Sequence, residues 1–145
     1  MTTDKPVNAG GEGVSPIAFY LDPGSGVPTY RQLVQQVDRA MLLGYLAKGD
    51  QLPRVKDVTA TLAINPDTVL KAYRELEHRG IAQGRPGIGT FIVAEPTGPG
   101  LRELTELRRT ATEWITAAKA AGLDRRAASA LFEAVLQDVS KEAAA

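Results

Sequence analysis

Between Tyr30 and Val93 the spacing of apolar residues changes repeatedly, and each change marks an element. Leu33, Val34, Val37, Ala40 and Met41 recur at intervals of three and four, the stripe of an amphipathic helix with Thr29 as its candidate N-cap. Gly44 or Gly49 closes it, and AKGDQLP (47–53) reads as a loop. Val55, Val58 and Leu62 repeat the helical spacing over a shorter span that ends at Ala63, about two residues before the next start signal. That signal is Asn65-Pro66. An Asn side chain accepts a hydrogen bond from the first turn, and a Pro at the first helical position has no N–H to leave unsatisfied. Val69, Ala72, Tyr73 and Leu76 give this third helix its apolar face, while Asp67, Thr68, Leu70, Lys71, Arg74 and Glu75 occupy the other. The placing of Tyr73 predicts a core ring whose hydroxyl reaches solvent or phosphate. Gly80 suits the left-handed residue that ends a helix. Beyond it, Ile81–Gln83 and Thr90–Val93 are strand-like, and GRPGIG (84–89) between them predicts a hairpin with a mobile tip.

The flanks are simpler. Residues 1–15 are polar and glycine-rich, the composition of a disordered tail. IAFYLDPGSGVP (17–28) reads as an extended arm ending in a turn, and EPTGPG (95–100) as a linker. Two helices follow. One carries Leu104, Leu107, Ala111, Trp114 and Ala118 and stops at Gly122; the other is capped by Asp124 and carries Ala128, Leu131, Phe132, Val135, Leu136 and Val139. Two helices of about 20 residues cannot bury both apolar faces on each other and also enclose a pocket. A second copy of the chain solves the burial problem, with Leu104, Leu107, Ala111, Trp114, Leu131, Phe132 and Val135 as the expected dimer interface. The fold class this predicts is α+β, mostly helical: a winged helix-turn-helix over 16–94, then a helical dimerisation region over 101–142.

Composition mainly excludes. With no cysteine and a single histidine, His78, disulfides, thiol catalysis and multi-histidine metal sites drop out, and no metal or cofactor is expected. No run approaches the roughly 18 apolar residues of a membrane span, and the N-terminus has no signal-peptide core, so the expectation is a cytoplasmic protein. Nucleophile elbows and acid–base pairs are lacking, which argues against an enzyme. GRPGIG is followed by a strand and contains no Lys, so it matches neither dinucleotide nor P-loop glycine patterns. Net charge is zero, from 17 basic and 17 acidic residues. Residues 30–95 alone are net positive, with nine basic groups against seven acidic ones.

Charge alone does not suggest nucleic acid, and the inference rests on pattern. Two short helices nearly abut, and the second opens on an exposed turn of Asn65, Asp67 and Thr68, groups that suit base edges and phosphates. Leu70 lies on the same polar face, either as scattered surface hydrophobicity or as a contact for a thymine methyl. A glycine-rich hairpin follows at once, and its Arg85 can reach a phosphate or the minor groove. The expected partners are double-stranded DNA carrying two half-sites and a second copy of the chain. Two other readings fit the same elements: a sensor gated by a small-molecule effector near Trp114, and an adaptor whose winged helix binds protein.

Residues 52–93 resemble the DNA-binding domain of the GntR family of bacterial transcription regulators. The likeness is carried by Leu52-Pro53, by Leu62 to Val69, by Ala72-Tyr73-Arg74-Glu75-Leu76-Glu77, by Gly80 and by Gly87-Ile88-Gly89-Thr90-Phe91. Phe19 to Pro28, Tyr30 and Gln32 are similar to the family's first strand and helix. The Asn-Pro-x-Thr-Val form and the short two-helix C-terminal region resemble its YtrA-like branch. The resemblance implies a homodimeric regulator, most readily a repressor, with DNA contacts at the positions of Arg54, Lys56, Asn65, Asp67, Thr68, Lys71, Arg85 and Gly87; Arg74, on the polar face of the third helix, is expected to add a phosphate contact. The family's second helix begins Leu-Pro-Ser-x-Arg, whereas this chain has Arg54 in place of the Ser and Lys56 in place of the Arg. Lys lacks the planar fork that Arg offers to guanine, so DNA reading at this point departs from the family pattern.

Overall fold

In the computed structural model, which describes residues 14–99 and 101–144, the first apolar stripe becomes α1 (Thr29–Leu42). Residues 1–13 of the expected tail and Gly100 of the expected linker lie outside the described residues. Leu33, Val34, Val37, Ala40 and Met41 are all buried, as their spacing predicts. Thr29 is not the cap. Pro28 holds that position, and its carbonyl accepts the first helical bond from the Gln32 N–H at 3.1 Å. Gly44, at φ 72°, turns the chain out of the helix.

The arm before α1 corrects one expectation. Ile17 and Phe19 are buried while Ala18 and Tyr20 are exposed, the alternation of a strand, yet no strand forms among the described residues of the arm. Its backbone is instead satisfied by side chains of α1. The Gln32 amide accepts from the Asp22 N–H (2.8 Å) and donates to the carbonyls of Asp22 (3.1 Å) and Val27 (2.9 Å). The Gln36 amide brackets Tyr20 in the same way, at 3.1 and 2.7 Å. A carboxamide offers one acceptor and two donors, so it can stand in for the peptide of a neighbouring strand.

α2 (Val55–Leu62) ends at Ala63, a non-glycine residue in the left-handed region (φ 53°, ψ 46°). Three residues, 63–65, join it to α3 (Pro66–His78), one more than the sequence suggests. The Asn65 side chain accepts from the Asp67 N–H at 2.8 Å, which makes it the predicted cap. Val69, Ala72, Tyr73 and Leu76 are buried, and Gly80 takes the expected positive φ of 74°. The Tyr73 hydroxyl does not reach solvent or phosphate. It donates to the Pro53 carbonyl, and burial pushes its pKa upward.

β1 (Ala82–Arg85) pairs antiparallel with β2 (Gly89–Ile92), in register from Ala82 opposite Ile92 to Arg85 opposite Gly89. Only Pro86, Gly87 and Ile88 form the tip, so the first strand runs two residues beyond its expected end at Gln83. The expected loop over 47–53 also carries structure. On the other side of β2, the Leu52 N–H donates to the Thr90 carbonyl and the Ile92 N–H to the Asp50 carbonyl, both at 2.8 Å. The wing is thereby tied to the segment that leads into α2. One core joins all of this, with Leu33, Val37, Leu46, Leu52, Val69, Leu76 and Ile92 fully buried. The Arg79 guanidinium forks the Asp38 carboxylate (3.1 Å to each oxygen) and links the end of α3 to α1. The pair is partly exposed, so its contribution is at most about 1 kcal/mol.

The described residues from 101 to 144 form a second compact unit. It contains α4 (Leu101–Ala120) and α5 (Arg125–Ala144), joined through Gly122 at φ 92°. The Asp124 carboxylate accepts from the Ala127 N–H at 2.8 Å, the predicted cap. Trp114 and Phe132 meet edge to face, with centroids 6.0 Å apart. Ala118 is the only buried apolar residue among the described residues of this unit, whereas Leu107, Ile115, Leu131, Phe132, Val135, Leu136 and Val139 are exposed.

Candidate nucleic-acid interface

The outward face of α3 is set by the inward one. At about 100° per residue, burying Val69, Ala72, Tyr73 and Leu76 places Asp67, Lys71, Arg74 and His78 within an arc of about 60° on the opposite side. All four are exposed. Thr68 and Leu70 fall on opposite flanks of this stripe, and each is half-buried. Asn65 is exposed, but its amide oxygen is taken by the capping bond. Its remaining amide donors are what it can offer to a ligand.

The wing stands on the Glu77 side of α3. A Cβ built at Gly84 would lie 3.0 Å from Glu77 Oε1, which places this strand close against the helix. At the tip, Gly87 (φ 75°) and Gly89 (φ 147°) hold conformations that L side chains rarely adopt. The Arg85 guanidinium lies over the Phe91 ring at 4.7 Å, so the tip carries a positioned cation. Gln51 Nε2 donates to the Ile88 carbonyl at 3.3 Å, bracing the tip from the segment before α2. The Ile88 side chain itself is exposed, an apolar residue at the extremity of the wing that the sequence pattern does not single out. Its position between two glycines is the one signal that could have marked it.

Arg54 and Lys56 are both exposed at the start of α2. Arg54 occupies the N-cap and its side chain makes no capping bond. A Ser there accepts a bond from the first turn that Arg cannot. Arg54→Ser is therefore expected to raise stability by about 1 kcal/mol, measured as the shift in urea midpoint at unchanged m-value.

Two cation–ring contacts and their neighbours are not legible in the sequence. Lys71 Nζ sits 4.1 Å from the centroid of Tyr30, at the start of α1. The Arg31 guanidinium lies 5.6 Å from the same ring and donates to the Tyr30 hydroxyl at 3.2 Å. That hydrogen bond is the leading cause of a raised Arg31 pKa, with Glu75 adding to it. Among the described residues there is no cluster of His, Cys, Asp or Glu able to hold a metal ion, and no helix long and apolar enough to cross a membrane.

Two abutting helices, an exposed polar face on the second and a hairpin braced beside it define a winged helix-turn-helix protein. The family described as bacterial regulatory proteins, gntR family, matches residues 29–92. A Mycobacterium tuberculosis regulator, HTH-type transcriptional regulator Rv1152, is 35% identical over 106 residues, which are 72% of this chain and 83% of that one. The chain belongs to the GntR family of bacterial regulatory proteins. The HTH-type transcriptional repressor YtrA of Bacillus subtilis is 43% identical over 72 residues, which are 50% of this chain and 55% of that one. The chain thus spans about half the length of that relative. Among solved structures, the transcriptional antiterminator of Listeria monocytogenes EGD-e is similar at 27% identity with a TM-score of 0.53. That likeness covers 85% of this chain and 92% of the other.

Proposed function

We propose that the protein is a homodimeric, sequence-specific repressor that binds duplex DNA through two half-sites. One observation carries the reading: the exposed stripe of Asp67, Lys71, Arg74 and His78 on α3 beside a wing whose tip presents Arg85. α3 enters the major groove, and the wing lies in or along the minor groove. Lys56, Lys71, Arg74 and Arg85 contact phosphates, while Asn65, Asp67, Thr68 and Leu70 meet base edges. Arg54 adds a cation at the start of α2, and Gly87 lets the backbone of the tip approach the DNA. The exposed apolar faces of α4 and α5 supply the interface between copies, and DNA binding and dimerisation fall to residues 16–94 and 101–142. Repression follows the sense of the Bacillus relative, which is named a repressor.

The test is selection from a random pool of duplexes, followed by binding measured against salt. The expected result is an enriched sequence with two related half-sites, bound with an affinity that falls steeply as salt rises. A bound pool without a repeated half-site removes the dimeric reading. A flat salt dependence, with no retention on duplex DNA, supports the protein-binding adaptor instead. A promoter carrying the enriched site ahead of a reporter then decides between repression and activation.

A further inference from the structure

We propose that Tyr30 is a positioning residue for DNA binding: its ring holds the Lys71 ammonium in the orientation from which that ammonium meets a phosphate of the duplex. The inference rests on the DNA-binding reading above and adds to it a part for α1, which otherwise only packs.

The geometry is specific. Lys71 projects from the outward stripe of α3, and its Nζ lies 4.1 Å from the Tyr30 centroid, within the range at which an ammonium is attracted to the face of a ring. Among the described residues, no ion pair involves Lys71. Its charge is therefore steadied by a ring that does not neutralise it, and remains available to an anion. A carboxylate in the same place would hold the side chain as well but would compete with phosphate. Tyr30 is itself fixed. It is half-buried against the core, and its hydroxyl accepts from Arg31 at 3.2 Å. A long, flexible lysine loses rotamer freedom when it binds, and holding it beforehand reduces that cost.

Tyr30 touches Lys71 and is not placed on the DNA, so its effect passes through Lys71. The experiment is a double-mutant cycle on the full chain, read as affinity for a labelled duplex enriched from a random pool. Tyr30→Leu is expected to weaken binding roughly two- to fivefold, the span of an exposed cation–ring contact. Tyr30→Phe keeps the ring and should restore near-parental affinity. In a Lys71→Ala background, Tyr30→Leu should add no further loss. Thermal melting of each variant identifies any loss of fold, and the Phe variant then carries the comparison, because it keeps the packing. Equal losses in both backgrounds show that Tyr30 acts only through the core, and they overturn the proposal while leaving the DNA-binding reading intact. No loss on Lys71→Ala alone also overturns it. Failure of the parent chain to bind any duplex removes both.

Discussion

Val135→Glu is expected to give a monomer that binds a two-half-site operator roughly 10²- to 10⁴-fold more weakly than the parent chain, the range by which linking two sites enhances binding. Val135 is 49% exposed on α5, where Leu131 and Val139 lie four residues to either side on the same face. The α4–α5 pair buries almost nothing by itself: Trp114 is half-buried against Phe132, and Leu107 remains 62% exposed. An exposed apolar face of this kind marks an interaction surface, and in the proposed dimer a second copy covers it isologously. A carboxylate at its centre must be desolvated to dimerise, without a partner to repay the cost. Glu is a good helix former, so α5 itself should persist. Val135 is preferred to Phe132 as the test position, because the Phe132 ring also supports Trp114 within the chain. Sedimentation gives the mass, and binding to an isolated half-site should be unchanged. A variant that stays dimeric would place the interface elsewhere.

Much of the recognition domain is legible in the sequence because local signals and burial agree there. Asn65-Pro66 announces α3 with a cap and a first residue that both fit, and the four apolar positions that follow are the four that are buried. Asp124 and Gly80 work in the same way. What the sequence hides depends on partners distant in the chain. Asp50-Gln51-Leu52 looks like a loop because Gly49 and Pro53 flank it, yet its backbone bonds are completed by β2, some forty residues on. The strand that the resemblance implies for the arm is replaced by the amides of Gln32 and Gln36, and a glutamine in a helix gives no local sign that it will bond to backbone elsewhere. The Tyr30–Lys71 contact is of the same kind. Either residue alone reads as ordinary, and only the packing of α1 on α3 brings them together.

Replacing Lys71, Arg74 and Arg85 together by Ala should lower the slope of log affinity against log salt by about 2.7, at about 0.9 for each phosphate no longer neutralised. Between about 50 and 200 mM salt, a slope change of that size corresponds to roughly a 40-fold smaller loss of affinity than the parent shows. At low salt the variant should bind every duplex more weakly by a similar factor and keep its sequence preference. Asn65→Ala and Thr68→Ala should instead alter sequence preference while leaving the slope near its parental value. The effect is large because the charge is local. Residues 30–95 have nine basic and seven acidic groups, so removing three cations leaves six against seven and reverses the sign of the domain. A chain with no net charge lacks the overall attraction that draws a basic protein onto DNA from a distance. Its affinity must then come from where a few cations are placed. Two of these three are held by aromatic rings, Lys71 by Tyr30 and Arg85 by Phe91. An unchanged salt slope in the triple variant would mean that these residues do not meet phosphate, and that α3 faces something other than DNA.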